Sequence, residues 1–236
     1  MTLDFELSAL EDDSRRARQI TIGARVFESV RQAIVQLRFR PGNPLSEAEI
    51  ARQLGVSRQP VREAFIKLAE VGLVEVRPQR GTFVRLISIR EVENARFLRD
   101  AIEVAIVRKA AAVASPADLA RIDGIVAEQR AIAETGDNAA FLRLDEAFHQ
   151  AIAASADCED AWRVLEGLKA QMDRVRYLSL PDATPLSVII DQHARIAHAL
   201  AARSPEQAEA AMHEHLAEIL KSLPSLAIEN AAFFTD

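Results

Sequence analysis

The apolar residues near the start of the chain recur at three- and four-residue spacing, which is the period of an amphipathic helix. They are Val26, Val30, Ala33, Ile34 and Leu37. This spacing predicts a first helix over Ile22–Arg38. Pro41 and Gly42 follow soon after and should end it, because neither residue continues a helix readily.

Two shorter helices are predicted next. Ser46 followed by Glu49 at the third position is a capping box, which starts a helix over Glu47–Leu54 that Gly55 ends. Ser57 is a good N-cap for a third helix. The buried face of that helix would consist of Val61, Ala64, Phe65, Leu68 and Ala69. Two short helices joined by so tight a turn form a helix-turn-helix.

β-prone residues replace the helical spacing after this motif. Leu73, Val74 and Val76 precede a turn at 78–81, and Thr82-Phe83-Val84 follows it. Two short β-prone runs around a Pro/Gly turn predict a hairpin. A basic hairpin directly behind a helix-turn-helix is a wing, so the motif as a whole is predicted to be a winged helix.

The rest of the chain keeps helical spacing. It is interrupted near Ser115-Pro116, Gly136-Asp137, Asp157, Pro181 to Pro185 and Ser204-Pro205. Six or seven helices are therefore predicted, which form an all-α bundle. The predicted fold is mainly α, with a mobile segment at 1–20, an N-terminal winged helix-turn-helix at 21–86 and a C-terminal all-helical domain at 87–230.

Charge divides the chain near the same place. The 236 residues carry a net charge of −6. Residues 15–90 hold fifteen Lys or Arg against six Asp or Glu, whereas residues 91–236 hold fourteen against twenty-four. A basic block followed by an acidic one indicates two domains with different partners, and nucleic acid is a natural partner of the basic one. The alternative interpretation of the basic block is an ordinary solvated surface.

Several classes of protein are excluded. No apolar run approaches the ~18 residues that a membrane-spanning helix needs. The start of the chain is acidic, with Asp4, Glu6 and Glu11, so no signal peptide is expected. The single cysteine, Cys158, has no partner for a disulfide within the chain. A cytoplasmic protein without a membrane partner is expected.

Arginines cluster where a helix-turn-helix meets DNA. The amino end of the second helix enters the major groove, and Arg58 and Arg62 lie four residues apart there, so at least one should contact a guanine edge. Arg52 and the wing-tip Arg80 are suited to phosphate or minor-groove contacts, although all four could also be ordinary surface cations. The predicted DNA-binding residues are Arg52, Ser57, Arg58, Gln59, Pro60, Arg62, Arg80 and Gly81.

The helical part contains a candidate metal site. Asp145 and His149 are four residues apart, share a helix face and can hold one cation, although such a pair often forms only a hydrogen bond. Two later helices add four histidines: His193, His198, His213 and His215. The first and last of these fall on apolar faces, and the other two fall toward polar positions. Histidines that serve only the core remain the alternative.

A resemblance to a known family lies in the predicted winged helix. The sequence there is LSEAEIARQLGVSRQPVREAF from Leu45 to Phe65 and RGTFV from Arg80 to Val84. Both segments resemble the winged helix of GntR-family bacterial transcription regulators. The resemblance implies binding to double-stranded DNA at a palindromic operator. Ala48 departs from some members of the family, which carry an arginine there that touches DNA.

The helical part resembles the FCD ligand-binding domain that accompanies one large GntR subgroup. The resemblance lies in Asp-x-x-x-His, a later His that opens an apolar helix, and a final His before Leu. In metal-binding members three histidines and one aspartate hold a divalent ion. The matching residues are Asp145, His149, His193 and His215. These ligands suit Zn²⁺, with Ni²⁺ or Mn²⁺ as alternatives.

The same resemblance implies residues for effector binding. Arg99 precedes Glu103 in a segment similar to the Arg-x-x-Leu-Glu of the domain's first helix. This implies that Arg99 faces the cavity and binds an effector carboxylate, for which a planar guanidinium is well suited. Arg174 and Tyr177, on a helix predicted over Leu165–Leu180, are further candidates, with a surface Arg and a rim Tyr as the alternative.

The combined interpretation is a homodimeric transcription regulator that senses a small organic acid on a metal floor. Repression is the commoner mode of regulation in the family. Two copies are expected because a palindrome presents two half-sites to two recognition helices. Two alternatives stay open for the metal, a hydrolase centre that activates water and a purely structural ion. Enzymatic activity is not expected, since no second residue is placed as a general base.

Overall fold

The chain folds as two units in the computed structural model, which describes residues 21–180 and 184–236. One unit contains residues 21–88 and 230–236, and the other contains residues 89–229. The expected division at 86/87 thus falls slightly before the structural one. The mobile segment expected at 1–20 lies outside the described residues.

Three helices form the body of the first unit. They are α1 (Ile22–Val35), α2 (Glu47–Leu54) and α3 (Arg58–Glu70). The prediction that α1 extends to Arg38 is wrong, because Leu37 adopts a left-handed φ of 56° that a right-handed helix does not accommodate. Helix α1 packs against α3, and buried apolar side chains join them.

The ends of α2 and α3 follow the predicted capping only in part. Ser46 accepts a hydrogen bond from the backbone N–H of Glu49 at 3.3 Å, and Gly55 ends α2 with a left-handed φ of 67°. The carboxylate of Glu49 accepts hydrogen bonds from Arg52, and Ser57 has the extended backbone of an N-cap without a capping hydrogen bond from its side chain.

The predicted wing is present. Strands β2 (Val74–Arg77) and β3 (Gly81–Val84) pair antiparallel, with Arg77 opposite Gly81 beside the turn. A further strand, β1 (Pro44–Leu45), pairs with β3 and gives the order β1-β3-β2. Two residues are too few to leave an alternating pattern, so β1 could not be predicted from hydrophobic spacing.

The last residues of the chain belong to the first unit. Strand β5 (Phe234–Thr235) pairs in parallel with β4 (Ile87–Ser88). The hydroxyl of Ser88 donates a hydrogen bond to the carbonyl oxygen of Asp236, 148 positions along the chain, at 3.0 Å. The side chains of Ile87 and Phe234 are both buried. Partners so far apart in sequence leave no local signal.

Seven helices build the second unit within the described residues, in agreement with the predicted six or seven. They are α4 (Ile89–Val113), α5 (Pro116–Ala133), α6 (Asn138–Ser155), α7 (Glu159–Leu168), α8 (Ala170–Ser179), α9 (Leu186–Ala201) and α10 (Pro205–Glu229). The single helix predicted over Leu165–Leu180 is wrong. The chain breaks at Lys169, whose buried ammonium group pairs with Glu146 and lies 3.6 Å from Asp173.

Helix α6 lies at the centre of the second unit. Its residues Phe141, Phe148 and Ile152 are buried, and it packs against α4 and α5. Each such side chain contributes about 1.5–3 kcal/mol by leaving water. Among the described residues, no helix combines the length and the apolar composition that a membrane crossing requires.

Replacing Ile152 by Ala should lower the free energy of unfolding of the second unit by ~2–5 kcal/mol, because the loss leaves a cavity in the core. Ile152 is 1% exposed, and Ile228, at 79% exposed, supplies the matched control. Ile228→Ala should change the same free energy by less than ~0.5 kcal/mol. Urea denaturation followed by circular dichroism measures both, and equal losses would contradict this core.

Candidate nucleic-acid interface and metal centre

The amino end of α3 presents a polar surface. Arg58 and Gln59 are exposed there, while Val61 is fully buried on the opposite side. Within the described ranges, the side chain of Arg58 has no ion-pair or hydrogen-bond partner. The N–H groups of the first helical turn point outward beside it, so this end offers donors and a positive charge to an anion.

The other predicted DNA-binding arginines differ in their surroundings. Arg62 Nε lies 2.7 Å from Glu47 Oε2, and Arg52 Nη2 lies 2.6 Å from Glu49 Oε1, so each would have to exchange a carboxylate for a phosphate. Gln59 donates a hydrogen bond to Glu63 at 3.1 Å. These pairs are exposed, and such surface pairs are worth only ~0–1 kcal/mol, which makes the exchange inexpensive.

The wing presents Arg80 at its tip. Gln79 and Gly81 on either side adopt φ values of 61° and 101°, which form the tight turn between β2 and β3. The guanidinium of Arg77 lies 4.5 Å from the ring centroid of Phe83 and stiffens the hairpin below the tip. The structure therefore places Arg80 on an exposed projection of the first unit, as a phosphate or minor-groove contact requires.

In the second unit the structure brings together the four predicted metal ligands. Asp145 and His149 on α6, His193 on α9 and His215 on α10 are all buried, and one ligand atom of each lies within 4.8 Å of the others. His215 Nε2 lies 3.1 Å from His149 Nε2 and 3.3 Å from His193 Nε2. Three imidazole nitrogens therefore face one point.

The two remaining candidate histidines lie outside this cluster. His198 is exposed on α9. His213 is half-exposed, and its Nδ1 lies 2.8 Å from Asp100 Oδ1. The assignment of these residues to polar helix positions agrees with the structure, and His213 serves as a natural control for the cluster.

Each clustered histidine meets an acceptor on its other ring nitrogen. Glu103 Oε2 on α4 lies 2.6 Å from His149 Nδ1. The other two acceptors are amide oxygens, with Gln129 Oε1 at 2.8 Å from His193 Nδ1 and Gln192 Oε1 at 3.0 Å from His215 Nδ1. We call Glu103, Gln129 and Gln192 the outer acceptors. Gln129 and Gln192 accept hydrogen bonds from Nδ1 of His193 and His215 and leave the Nε2 atoms of these rings without a proton and directed inward, whereas the contact between Glu103 and His149 lacks hydrogen-bond geometry.

The residues present fit a divalent cation. Inward lone pairs on three Nε2 atoms repel each other unless a positive charge lies between them. Asp145 Oδ1 is buried without a hydrogen-bond partner and lies 3.7 Å from His193 Nε2. Three imidazole nitrogens and one carboxylate oxygen form a donor set that suits Zn²⁺, Ni²⁺ or Mn²⁺.

Protonation at the cluster favours the forms that bind metal. Burial lowers the pKa of His193 to about 3, and burial together with the neighbouring histidines holds the pKa of His215 well below its usual value. Burial alone would raise the pKa of Asp145, but Arg176 and the histidines outweigh it and hold that pKa well below the usual range. Near neutral pH His193 and His215 are thus neutral and Asp145 is ionised.

A small, partly open cavity of about 40 Å³ borders the cluster. Asp145 and His215 belong to its wall, and its other polar wall residues are Arg99, Arg176, Ser179, Thr184 and Glu218. Arg99 is hydrogen-bonded to Glu103, and its Nη2 lies 3.4 Å from His149 Nε2. The predicted position of Arg99 beside the cavity agrees with the structure.

The other two predicted effector residues do not line this cavity. Arg174 is fully buried and donates a hydrogen bond to Gln171 at 3.0 Å, and Tyr177 is partly exposed. Arg176 takes their place and is hydrogen-bonded to Asp145. Two residues along a helix turn a side chain through about 200°, so Arg174 and Arg176 lie on different faces of α8, and the face with Arg176 borders the cavity.

Comparison with known proteins agrees with both units. Residues 22–84 match the family described as bacterial regulatory proteins, gntR family, and residues 95–218 match the FCD domain. The chain is 41% identical over 215 residues to the HTH-type transcriptional repressor RspR of Escherichia coli strain K12, which covers 91% of this chain and 94% of that protein.

Two further proteins are similar over most of the chain. The probable D-xylose utilization operon transcriptional repressor of Paenarthrobacter nicotinovorans is 32% identical over 211 residues, 89% of this chain and 92% of that protein. The solved structure of E. coli McbR/YncC has the same fold, with a TM-score of 0.76 at 21% identity over 89% of this chain and 99% of that one. The chain belongs to the GntR family of bacterial transcription regulators, with an FCD domain behind its winged helix.

Proposed function

We propose that this protein is a homodimeric, cytoplasmic repressor whose affinity for a palindromic operator is controlled by a small carboxylate bound beside a divalent metal ion. The observation that carries the proposal is the buried Asp-His₃ cluster with a cavity against it, in a chain that also contains a winged helix. RspR of Escherichia coli is named as a repressor, which supports repression as the mode of regulation.

The charges at the cavity support an anionic ligand. Arg99 is paired with Glu103 and Arg176 with Asp145, so these four charges cancel. A divalent ion supplies two further positive charges and a coordination position for an oxygen ligand. Uncompensated buried charge is costly, and a carboxylate that meets Arg99 or Arg176 on the cavity wall would offset part of it.

The DNA half supports binding by two copies. One recognition helix contacts only a short stretch of bases, and specific affinity rises when a second copy binds a second half-site one helical turn away. A carboxylate that binds one arrangement of the helical unit more tightly would shift the population of DNA-competent dimers. The shift is limited by the difference between its affinities for the two arrangements.

The hydrolase alternative receives less support from the same site. Glu103, the acid beside His149, is engaged by Arg99, which holds the pKa of Glu103 near 2 although burial opposes this. A carboxylate so strongly held in its ionised form is a poor proton acceptor. Metal-dependent turnover that disappears in His149→Ala would nevertheless establish an enzyme in place of the sensor.

For DNA binding, Arg58→Ala should cost ~1–3 kcal/mol on an operator selected by the wild-type protein and should relax discrimination at one base position. Arg80→Ala should weaken all duplexes alike and reduce the slope of log K against log salt by about one. Fluorescence anisotropy at several salt concentrations measures both, with Arg195→Ala in the helical unit as the control. Equal effects of Arg58→Ala on selected and random duplexes would contradict base contact.

For metal binding, His149→Ala should abolish high-affinity zinc binding, because it removes one of the four ligands. His213→Ala is the matched control and should bind zinc as the wild type does. Titration calorimetry with Zn²⁺ and Ni²⁺ on protein stripped with EDTA measures the affinity. Identical binding by the two variants would exclude the Asp-His₃ cluster as the site.

For the effector, at least one of malate, lactate and succinate should raise the melting temperature of the zinc-loaded protein. A ligand at 100 times its Kd stabilises by ~2.7 kcal/mol. Arg176→Gln should remove this rise, whereas Arg195→Gln should keep it, provided that zinc content is the same in both. If EDTA melts the helical unit while carboxylates never stabilise it, the ion is purely structural.

A further inference from the structure

We infer that Glu218 is a positioning residue of the metal centre, which fixes the tautomer and the inward direction of His215 through the amide of Gln192. The inference rests on the proposed metal site and concerns a residue that is not itself a ligand. Glu218 lies on α10 one turn after His215 and also lines the cavity.

The orientation of the Gln192 amide is set by Glu218. Gln192 Nε2 donates a hydrogen bond to Glu218 Oε2 at 2.6 Å. An ionised carboxylate can only accept, so the NH₂ group of Gln192 must face Glu218 and its oxygen must face the other way. Gln192 is 1% exposed, which leaves water little access to offer the amide a different partner.

The orientation of the amide in turn fixes His215. Gln192 Oε1 lies 3.0 Å from His215 Nδ1, and a carbonyl oxygen accepts only, so Nδ1 must carry the ring proton. His215 Nε2 then keeps its lone pair and faces the Nε2 atoms of His149 and His193. A rotated amide would favour the other tautomer, with a proton directed at the metal position.

The other two histidines are held differently. His149 lies directly against the Glu103 carboxylate, which needs no intermediary to act as an acceptor. His193 lies against Gln129 Oε1, but the Nε2 group of Gln129 is buried without a hydrogen-bond partner. Of the outer acceptors, Gln192 is thus the amide that is oriented by a carboxylate. Loss of the Glu218 carboxylate should therefore leave the tautomer and orientation of His215 unfixed.

Glu218→Gln tests the inference, because a second amide can donate as well as accept and frees Gln192 to rotate. In metal-free protein, the ¹⁵N shifts of the His215 ring should change from one tautomer to a mixture. Zinc affinity by calorimetry should fall by about 10–100-fold, as for other residues that orient metal ligands. Glu214→Gln is the matched control on the same helix, since Glu214 pairs with Arg195 at the surface and should leave both measurements unchanged.

A double variant separates positioning from a general loss of structure. Gln192→Glu combined with Glu218→Gln exchanges the two groups, so that a carboxylate at 192 accepts from His215 Nδ1 and from the amide at 218. This pair should restore the single tautomer and most of the zinc affinity. Failure of the double variant to recover either measurement would overturn the relay, as would an unchanged tautomer and affinity in Glu218→Gln.

The two readouts also separate this inference from the proposed function. A tautomer that shifts in Glu218→Gln, in a protein that binds no zinc, would uphold the relay and refute the metal site. A wild-type protein that binds zinc, with a Glu218→Gln variant that binds it equally well, would uphold the metal site and refute the relay.

Discussion

The helical unit depends on a polar cluster at its centre. Asp145 and three histidines lie where a bundle of this size would ordinarily place apolar side chains, and every polar atom removed from water there requires a partner. The outer acceptors supply partners from α4, α5 and α9, while the ligands come from α6, α9 and α10. Five helices therefore owe part of their arrangement to one set of buried polar contacts.

This arrangement ties stability to function. Buried polar networks are costly when one member is missing, because the remaining groups keep their desolvation penalty. A shift of any of these helices consequently changes the distances among Asp145 and the three histidines, and a change in those distances in turn shifts the helices. In the proposed function, this coupling would let a small ligand at the cavity alter the packing of the whole unit.

Local signals made much of the fold predictable. Ser46, Gly55 and the Pro/Gly turn before Thr82 mark element ends within a few residues, and the helical spacing of the second half predicts its all-α bundle but misses the break at Lys169 between α7 and α8. Strand pairs between distant parts of the chain have no such local signal in the sequence. Strands β1, β4 and β5 are two residues each, and the parallel pair joins opposite parts of the chain.

The candidate site shows the same limit. Asp145 and His149 are visible as a helical pair, but the face of α8 that borders the cavity depends on where the chain breaks at Lys169, so the sequence does not indicate Arg176 as a cavity residue. The sequence does not show that a glutamine contacts a histidine. The roles of Gln129, Gln192 and Glu218 are visible only from hydrogen-bond distances between side chains of different helices.

The parallel pairing of β4 with β5 makes the helical unit an insertion within the first unit, because residues 89–229 leave it after Ser88 and return to it at Asn230. The isolated DNA-binding unit is therefore a discontinuous fragment. A protein cut after Ser88 loses the strand that pairs with β4, which leaves Ile87 and Ser88 at an open strand edge, where unpaired backbone groups promote association between chains.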